Sequence, residues 1–382
     1  MTRSRRQFLT AAGATGAALL AGCQAQKVDT ETPTSDTPGG AGTTTGEPTP
    51  ATANTLVVTS YPAFTNAPSS SPGAWLKRRF EDEFDATLVY KTPQNELNYY
   101  IERAAQGVDF EADVYIGLDV NALIRADEKR GTGQFTKPLF TEYPELDGAS
   151  RIKENLWFDP KDRAVPFDTS YVSLVWNATK EGGEFVAPET FDELTKPAFE
   201  GDLITQNPTS AVTGKRFMLH TVKRYGEDGY LDYWEQLKQN GVQVLGNWSD
   251  SYSAYTSGEA PMVTSYSTDQ VYANRYDQNM QKHQIRFLND QAYGSSEGMA
   301  RFRSSDAPEL ARKFMEFVLR PEIQVGIAKR NVSIPAITDA PLPEDYSKYA
   351  KVPPEPVEFS YQELKGNVTR WTDQWAKQFA SN

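Results

Sequence analysis

Residues 55–119, TLVVTSYPAFTNAPSSSPGAWLKRRFEDEFDATLVYKTPQNELNYYIERAAQGVDFEADVYIGLD, decide the fold. Residues 55–61 read as a buried strand running into a loop, because aliphatic and β-branched side chains sit together ahead of a proline. After Pro72, the apolar Trp75, Leu76, Phe80 and Phe84 recur at helical spacing, with Lys77, Arg78, Arg79, Glu81 and Glu83 between them. Residues 86–91 repeat the strand, 94–105 the helix, and 112–117 form a third strand that ends at Asp119. Such alternation predicts an α/β fold, with a mostly parallel sheet covered by helices on both faces. Ligands of such sheets sit at the carboxyl ends of strands. That rule singles out Tyr61, Asn95 and Asp119.

Working outward toward the N-terminus, the character of the chain changes. Ser4-Arg5-Arg6-Gln7-Phe8-Leu9 precedes an Ala/Gly-rich apolar run that ends in Leu20-Ala21-Gly22-Cys23. Paired arginines before a weakly apolar run are the pattern of a Tat export signal. Cys23, the single cysteine of the 382 residues, stands where a lipobox would place a lipid-modified residue. The run is shorter than the roughly 20 apolar residues a spanning helix needs. Residues 1–22 are therefore expected to be a Tat-type lipoprotein signal. Residues 23–54, rich in Thr, Pro and Gly and without aromatics, cannot bury enough surface to order themselves and read as a tether.

The formal net charge is -12. A surface this acidic excludes nucleic acid, whose phosphates need a basic face. Two histidines and one cysteine cannot assemble a metal cluster, and no cofactor motif occurs.

Toward the C-terminus, residues 163–177 form a β-rich stretch long enough to run from one domain into another. A second α/β unit follows. Thr190 and Glu193 have capping-box spacing, and a strand over 202–205 leads into Thr209 and Ser210 just ahead of a helix over 213–225. Backbone N–H groups and hydroxyls at such a helix start can face a ligand, particularly an anionic one. Another helix spans 233–239 and a strand 242–245. Residues 246–272, GNWSDSYSAYTSGEAPMVTSYSTDQVY, then combine Trp248 in a polar turn, a short aromatic helix and an apolar strand ending at Tyr266, Ser267, Thr268 and Asp269. The stretch carries π faces, hydroxyls and a carboxylate but no strong base. These are parts that grip a small, flat, cationic molecule without reacting with it. Residues 261–265 are expected to cross back to the first unit. A strand at 298–303, helices from 307 and Pro321, and a final helix with Trp371 and Trp375 complete the chain.

The ordered elements GLDVN, AVPFDTSYVSLVWN, TQNPTSAVTG, RYGEDG, the stretch 246–272, SEGMARF, NVSIPA and a closing W-x-x-x-W resemble the thiamine-binding proteins of ABC importers, from about Leu56 to the C-terminus. The resemblance implies a two-lobed periplasmic-binding-protein-like fold of type II, with lobes joined by crossing strands and closing over ligand. The first lobe would comprise residues 55–165, the second 166–265, and 266–382 would return to the first, with C-terminal helices closing on both. It implies a pocket tyrosine at Tyr61, a stacking tryptophan at Trp248, a hydroxyl-rich contact run from Tyr266 to Asp269, and a further enclosing aromatic at Tyr272. The chain departs from the family at Asn95-Glu96, where an acid-glycine pair is usual. It departs again at Ala211-Val212, which replaces a Ser-Thr pair, with hydroxyls displaced to Thr209 and Ser210, and at Val332, which replaces a tryptophan. Asp119, Asp269 or Asn95 would accept from the exocyclic amine of thiamine. The implied protein is a monomer held by its lipid outside the cell, delivering its ligand to a membrane permease driven by a cytoplasmic ATPase.

Two rival readings are open. Adjacent tyrosines suit the iron-binding relatives of the same class. Gly294-Ser295-Ser296-Glu297-Gly298 fits the G-x-S-x-G of hydrolases, although no histidine follows His283 to serve as base.

Overall fold

The computed structural model describes residues 54–66, 71–179 and 183–380. Cys23, the signal and nearly all of the tether lie outside the described residues. Among the described residues, eleven strands form one sheet: β1 Thr55–Thr59, β2 Thr87–Lys91, β3 Val114–Leu118, β4 Ala164–Trp176, β5 Leu203–Gln206, β6 Gln243–Leu245, β7 Met262–Tyr266, β8 Gln284–Arg286, β9 Gln291–Arg301, β10 Ile334–Pro335 and β11 Glu355–Val357. The main path runs β2-β1-β3-β9-β4-β7-β5-β6.

Each end of that path is parallel. β1 lies between β2 and β3, and β5 lies between β6 and β7. Parallel neighbours need crossover connections, and helices supply them. Gly73–Glu83 buries Leu76 and Phe80 against the first wing, in a core shared with Leu56, Val58, Val114 and Phe314. The two wings are joined by antiparallel strands. β9 pairs with β3 on one side and β4 on the other, while β4 pairs with β7.

The strand that returns to the first wing is therefore β9, not residues 261–265. β7 is a parallel neighbour of β5, through Leu203 opposite Met262, and so stays inside the second wing. β9 also starts earlier than its apolar residues suggest, because Gly294 to Glu297 are extended in register with Tyr171 to Asp168. Its serines are buried where an exposed strand would show them.

The two helices expected over 213–225 and 233–239 form one stretch, Val212–Gln239, broken at Gly226 with φ 74° and ψ 175°. That backbone region is accessible to glycine alone. The last helix, Val368–Ala380, sets Trp375 edge-on to Trp234 of this stretch, with centroids 5.3 Å apart. Helix Tyr361–Leu364 faces the first wing, where Tyr361 Oη donates to Asp127 at 2.6 Å. Asp127 and Asp159 together hold the buried Arg163, at 2.8 and 2.9 Å.

Candidate functional site

A cavity of about 760 Å³ opens at the strand ends, with walls from both wings and a floor on β4 and β9. It brings together Tyr61, Asp119, Trp248, Tyr266, Thr268, Asp269 and Tyr272 from the sequence-derived set.

The aromatic wall is built by helix Trp248–Ser257. Asn247 caps it by accepting the Asp250 N–H at 2.9 Å, and Gly258 ends it in the left-handed region at φ 89°. Trp248 stacks on Tyr252 with centroids 4.8 Å apart and an interplanar angle of 24°. Its indole N–H donates to Ser265 Oγ at 3.0 Å, which fixes the ring while leaving the residue 37% exposed. Tyr266 lies at a 47° tilt, 6.4 Å away. Behind this wall Asp269 accepts from Tyr252 Oη at 2.6 Å and lies 2.7 Å from His283 Nδ1. Both of its oxygens are thereby engaged, so Asp269 orients the aromatic pair rather than presenting a free carboxylate.

The opposite wall belongs to the first wing. Asp119 Oδ1 caps helix Val120–Gly131 through the Ala122 N–H at 2.7 Å, so capping and cavity lining coexist. Gly117, at φ 95°, makes room for Tyr61: a β-carbon there would lie 2.5 Å from the tyrosine ring.

The floor holds what sequence reasoning missed. Asp168 and Glu297, partners across β4 and β9, both line the cavity. Tyr61 Oη donates to Glu297 Oε2 at 3.1 Å, and Asn331 Nδ2 donates to Tyr61 Oη at 3.1 Å and to Asp168 Oδ2 at 3.0 Å. Burial pushes Asp168 up to about 6, and relief from Asn331 and Arg216 is only partial. Burial, with the Asp168 charge beside it, pushes Glu297 well above the usual carboxylate range. Glu96 is raised by burial and by Asp119, and Lys215 is lowered by burial. Val332, at φ 54°, follows Asn331 in a conformation costly for a β-branched residue. A buried Asp in a β-rich run and a Glu between a serine and a glycine carry no periodic signal; their proximity depends on strand register.

Four expected residues are not brought to the cavity. Glu96 takes φ 48°, so the helix starts only at Leu97 and leaves Asn95 exposed in the turn. Thr209 turns both its hydroxyl and N–H onto Asn207 Oδ1, at 2.7 and 2.8 Å. The Ser210 hydroxyl donates to the Gly246 carbonyl at 2.7 Å. Val212 and Lys215 line that side instead. Ser267 lies between Tyr266 and Thr268 but points the other way, donating to the Lys351 carbonyl at 2.6 Å.

The hydrolase pattern also lacks its required context. Residues 294–298 run straight within β9, whereas a nucleophile elbow needs a sharp strand-to-helix turn.

The family model described as bacterial extracellular solute-binding protein matches residues 75–354. The chain belongs to this family. Among relatives of this solute-binding protein, the thiamine-binding periplasmic protein of Escherichia coli (strain K12) is 27% identical over 84% of this chain and 92% of its own. The thiamine-binding periplasmic protein of Brucella suis biovar 1 is 25% identical over 84% and 91%. The solved structure of a periplasmic thiamin binding protein superposes with a TM-score of 0.70 at 26% identity, over 85% of this chain and 96% of that chain. Pasteurella haemolytica apo ferric ion-binding protein A, 14% identical with a TM-score of 0.68, shares the two-lobed fold, covering 86% of this solute-binding protein and 99% of its own chain. These relatives are binding proteins, not enzymes. Among the described residues, no helix of the solute-binding protein is long and apolar enough to cross a membrane.

Proposed function

We propose that this solute-binding protein captures thiamine or a close cationic relative in the cleft and delivers it to the permease of an ABC importer, whose ATPase drives uptake. The observation that carries the reading is one stacked aromatic wall facing an acid-rich floor. Trp248, Tyr252 and Tyr266 offer π faces, and Glu96, Asp119, Asp168 and Glu297 outnumber Arg125, Lys215 and Arg216 around the cavity. A cation over such a face gains about 0.5–2 kcal/mol, more as water is excluded. The names of the relatives support thiamine over other cations. The wing of β1, β2 and β3 with the return through β9 would act as one lobe and the wing of β5, β6 and β7 as the other, closing about β4 and β9. Cys23 would carry the lipid that keeps the body at the outer face of the membrane as a monomer.

Ferric iron is the poorer fit. Iron-binding tyrosines must ionise, yet burial first, and then Glu297 and Asp168, push the Tyr61 hydroxyl well above its ordinary value. Burial and Asp269 do the same to Tyr252.

Calorimetric titration of the protein with thiamine, its phosphates and ferric citrate tests the reading. Saturable one-to-one binding of thiamine is expected. Binding of ferric citrate with no response to thiamine would reverse it.

A further inference from the structure

Asp168 and Glu297 are register partners on β4 and β9, beside the irregularity between Pro166 and Asp168, and the chain Asp168–Asn331–Tyr61–Glu297 links their carboxyls. Asp168 is 2% exposed. The charged and titratable groups that face the pair come from every surrounding element. Arg216 approaches from helix Val212–Gln239, its Nη1 donating to Ser170 Oγ at 2.8 Å. Tyr61 and Asn331 complete the hydrogen-bond chain between the two carboxyls. Asp119 adds a further acid from the end of β3, and Tyr115 and Tyr266 add phenols. A single guanidinium against one buried and one half-buried acid on neighbouring strands favours a protonated carboxyl in the pair, because two like charges on one desolvated face repel each other without full compensation.

We propose that the Asp168–Glu297 pair is the cation-selecting element of the cleft, and that entry of a cationic ligand expels the proton the pair holds. This rests on the reading of the cleft as a cation site. The exchange balances. One carboxylic O–H bond breaks, its electrons stay on the carboxylate, the proton leaves to solvent, and the fixed positive charge of the ligand takes its place. The cleft therefore keeps its net charge, and a neutral ligand of the same shape gains no such exchange. Because the bound form holds fewer protons, affinity rises with pH, by up to about tenfold per unit while the free pair is protonated. It levels off once the free pair has ionised.

The test is calorimetry of the full chain with thiamine, in buffers of different ionisation enthalpy, at a pH where thiamine itself does not titrate. Release approaching about one proton per ligand is expected for the native protein. Glu297→Gln should bind more weakly, release almost none and lose the pH slope, and Asp168→Asn should reduce release as well. Thiamine binding with the same heat in every buffer would overturn the inference while leaving the cation reading intact, as would a Glu297→Gln protein that releases the native proton count. Absence of thiamine binding at any pH would overturn both. Should Glu297→Gln fail to fold, the native proton count and pH slope decide alone.

Discussion

Trp248 presents its ring to the cleft with little else to do. Its indole N–H is satisfied by Ser265, its rear face lies on Tyr252, and over a third of it remains open. Trp248→Ala should weaken thiamine binding by at least about tenfold, roughly 1.4 kcal/mol. Circular dichroism should stay unchanged, since the residue is not in a core. Native affinity in that variant would remove the residue from the site. Gly117→Ala tests the opposite wall. A methyl group would meet the Tyr61 ring at 2.5 Å in a backbone conformation that disfavours side chains. Overpacking of this kind costs about 1–3 kcal/mol. A urea titration should show that loss, and calorimetry weaker binding as Tyr61 leaves Glu297; a variant with both quantities native would refute the packing argument. Trp248 was legible because a large aromatic between Asn247 and Ser249 has no apolar neighbours in the chain to pack with, although it opens a helix capped by Asn247 rather than lying in a turn. Glu297 was not, because nothing adjacent in the chain marks it.

Among the elements, the knot around Asp127 ties together parts of the chain far apart in sequence. Arg163 at the mouth of β4 donates to it twice, at 2.8 and 3.0 Å, Lys161 donates at 3.0 Å and Tyr361 at 2.6 Å. Burial alone would raise this carboxyl, but the hydrogen bonds from Arg163 and Tyr361 hold it well below the usual range. Asp159 still holds Arg163 when Asp127 is removed, so the cost is that of unmaking the charged hydrogen bonds from Arg163 and Tyr361, about 1.5–3 kcal/mol. Asp127→Ala should lose that amount in chemical denaturation; a loss below about 1 kcal/mol would show the knot to be ornamental. The sign with pH follows. A carboxyl depressed on folding stabilises fully above its unfolded value near 4 and loses that contribution as pH falls through the folded one. Acidification below about pH 4 should therefore narrow the gap between native and variant stability. Element existence was readable from period and caps, as in the short helix that Thr190 caps by accepting the Glu193 N–H at 3.1 Å. Element partners were not. Residues 261–265 and β9 look alike as apolar strands, and only the pairing of β9 with both β3 and β4 makes it the return strand.

At the scale of the whole molecule, two parallel wings share β4 and β9, and the cleft lies between walls that each wing supplies separately. If ligand draws the walls together, small-angle scattering should record a smaller radius of gyration with thiamine than without. An unchanged radius under saturating ligand would sink closure. Saturation at about 100 times the dissociation constant should also stabilise the protein by about 2.7 kcal/mol, visible as a raised melting temperature. Alternating strands and helices, the polar setting of Trp248 and the acidic balance were determined by sequence alone, because periodicity, turn chemistry and charge are local properties. Which carboxyls meet on the floor, that Asp269 turns to His283 and Tyr252, and that Ser210 and Ser267 turn away were decided only by tertiary structure. Strand register and helix docking set those encounters, from Asp269 and His283, 14 positions apart, to Ser267 and Lys351, 84 apart, and Asp168 and Glu297 across β4 and β9.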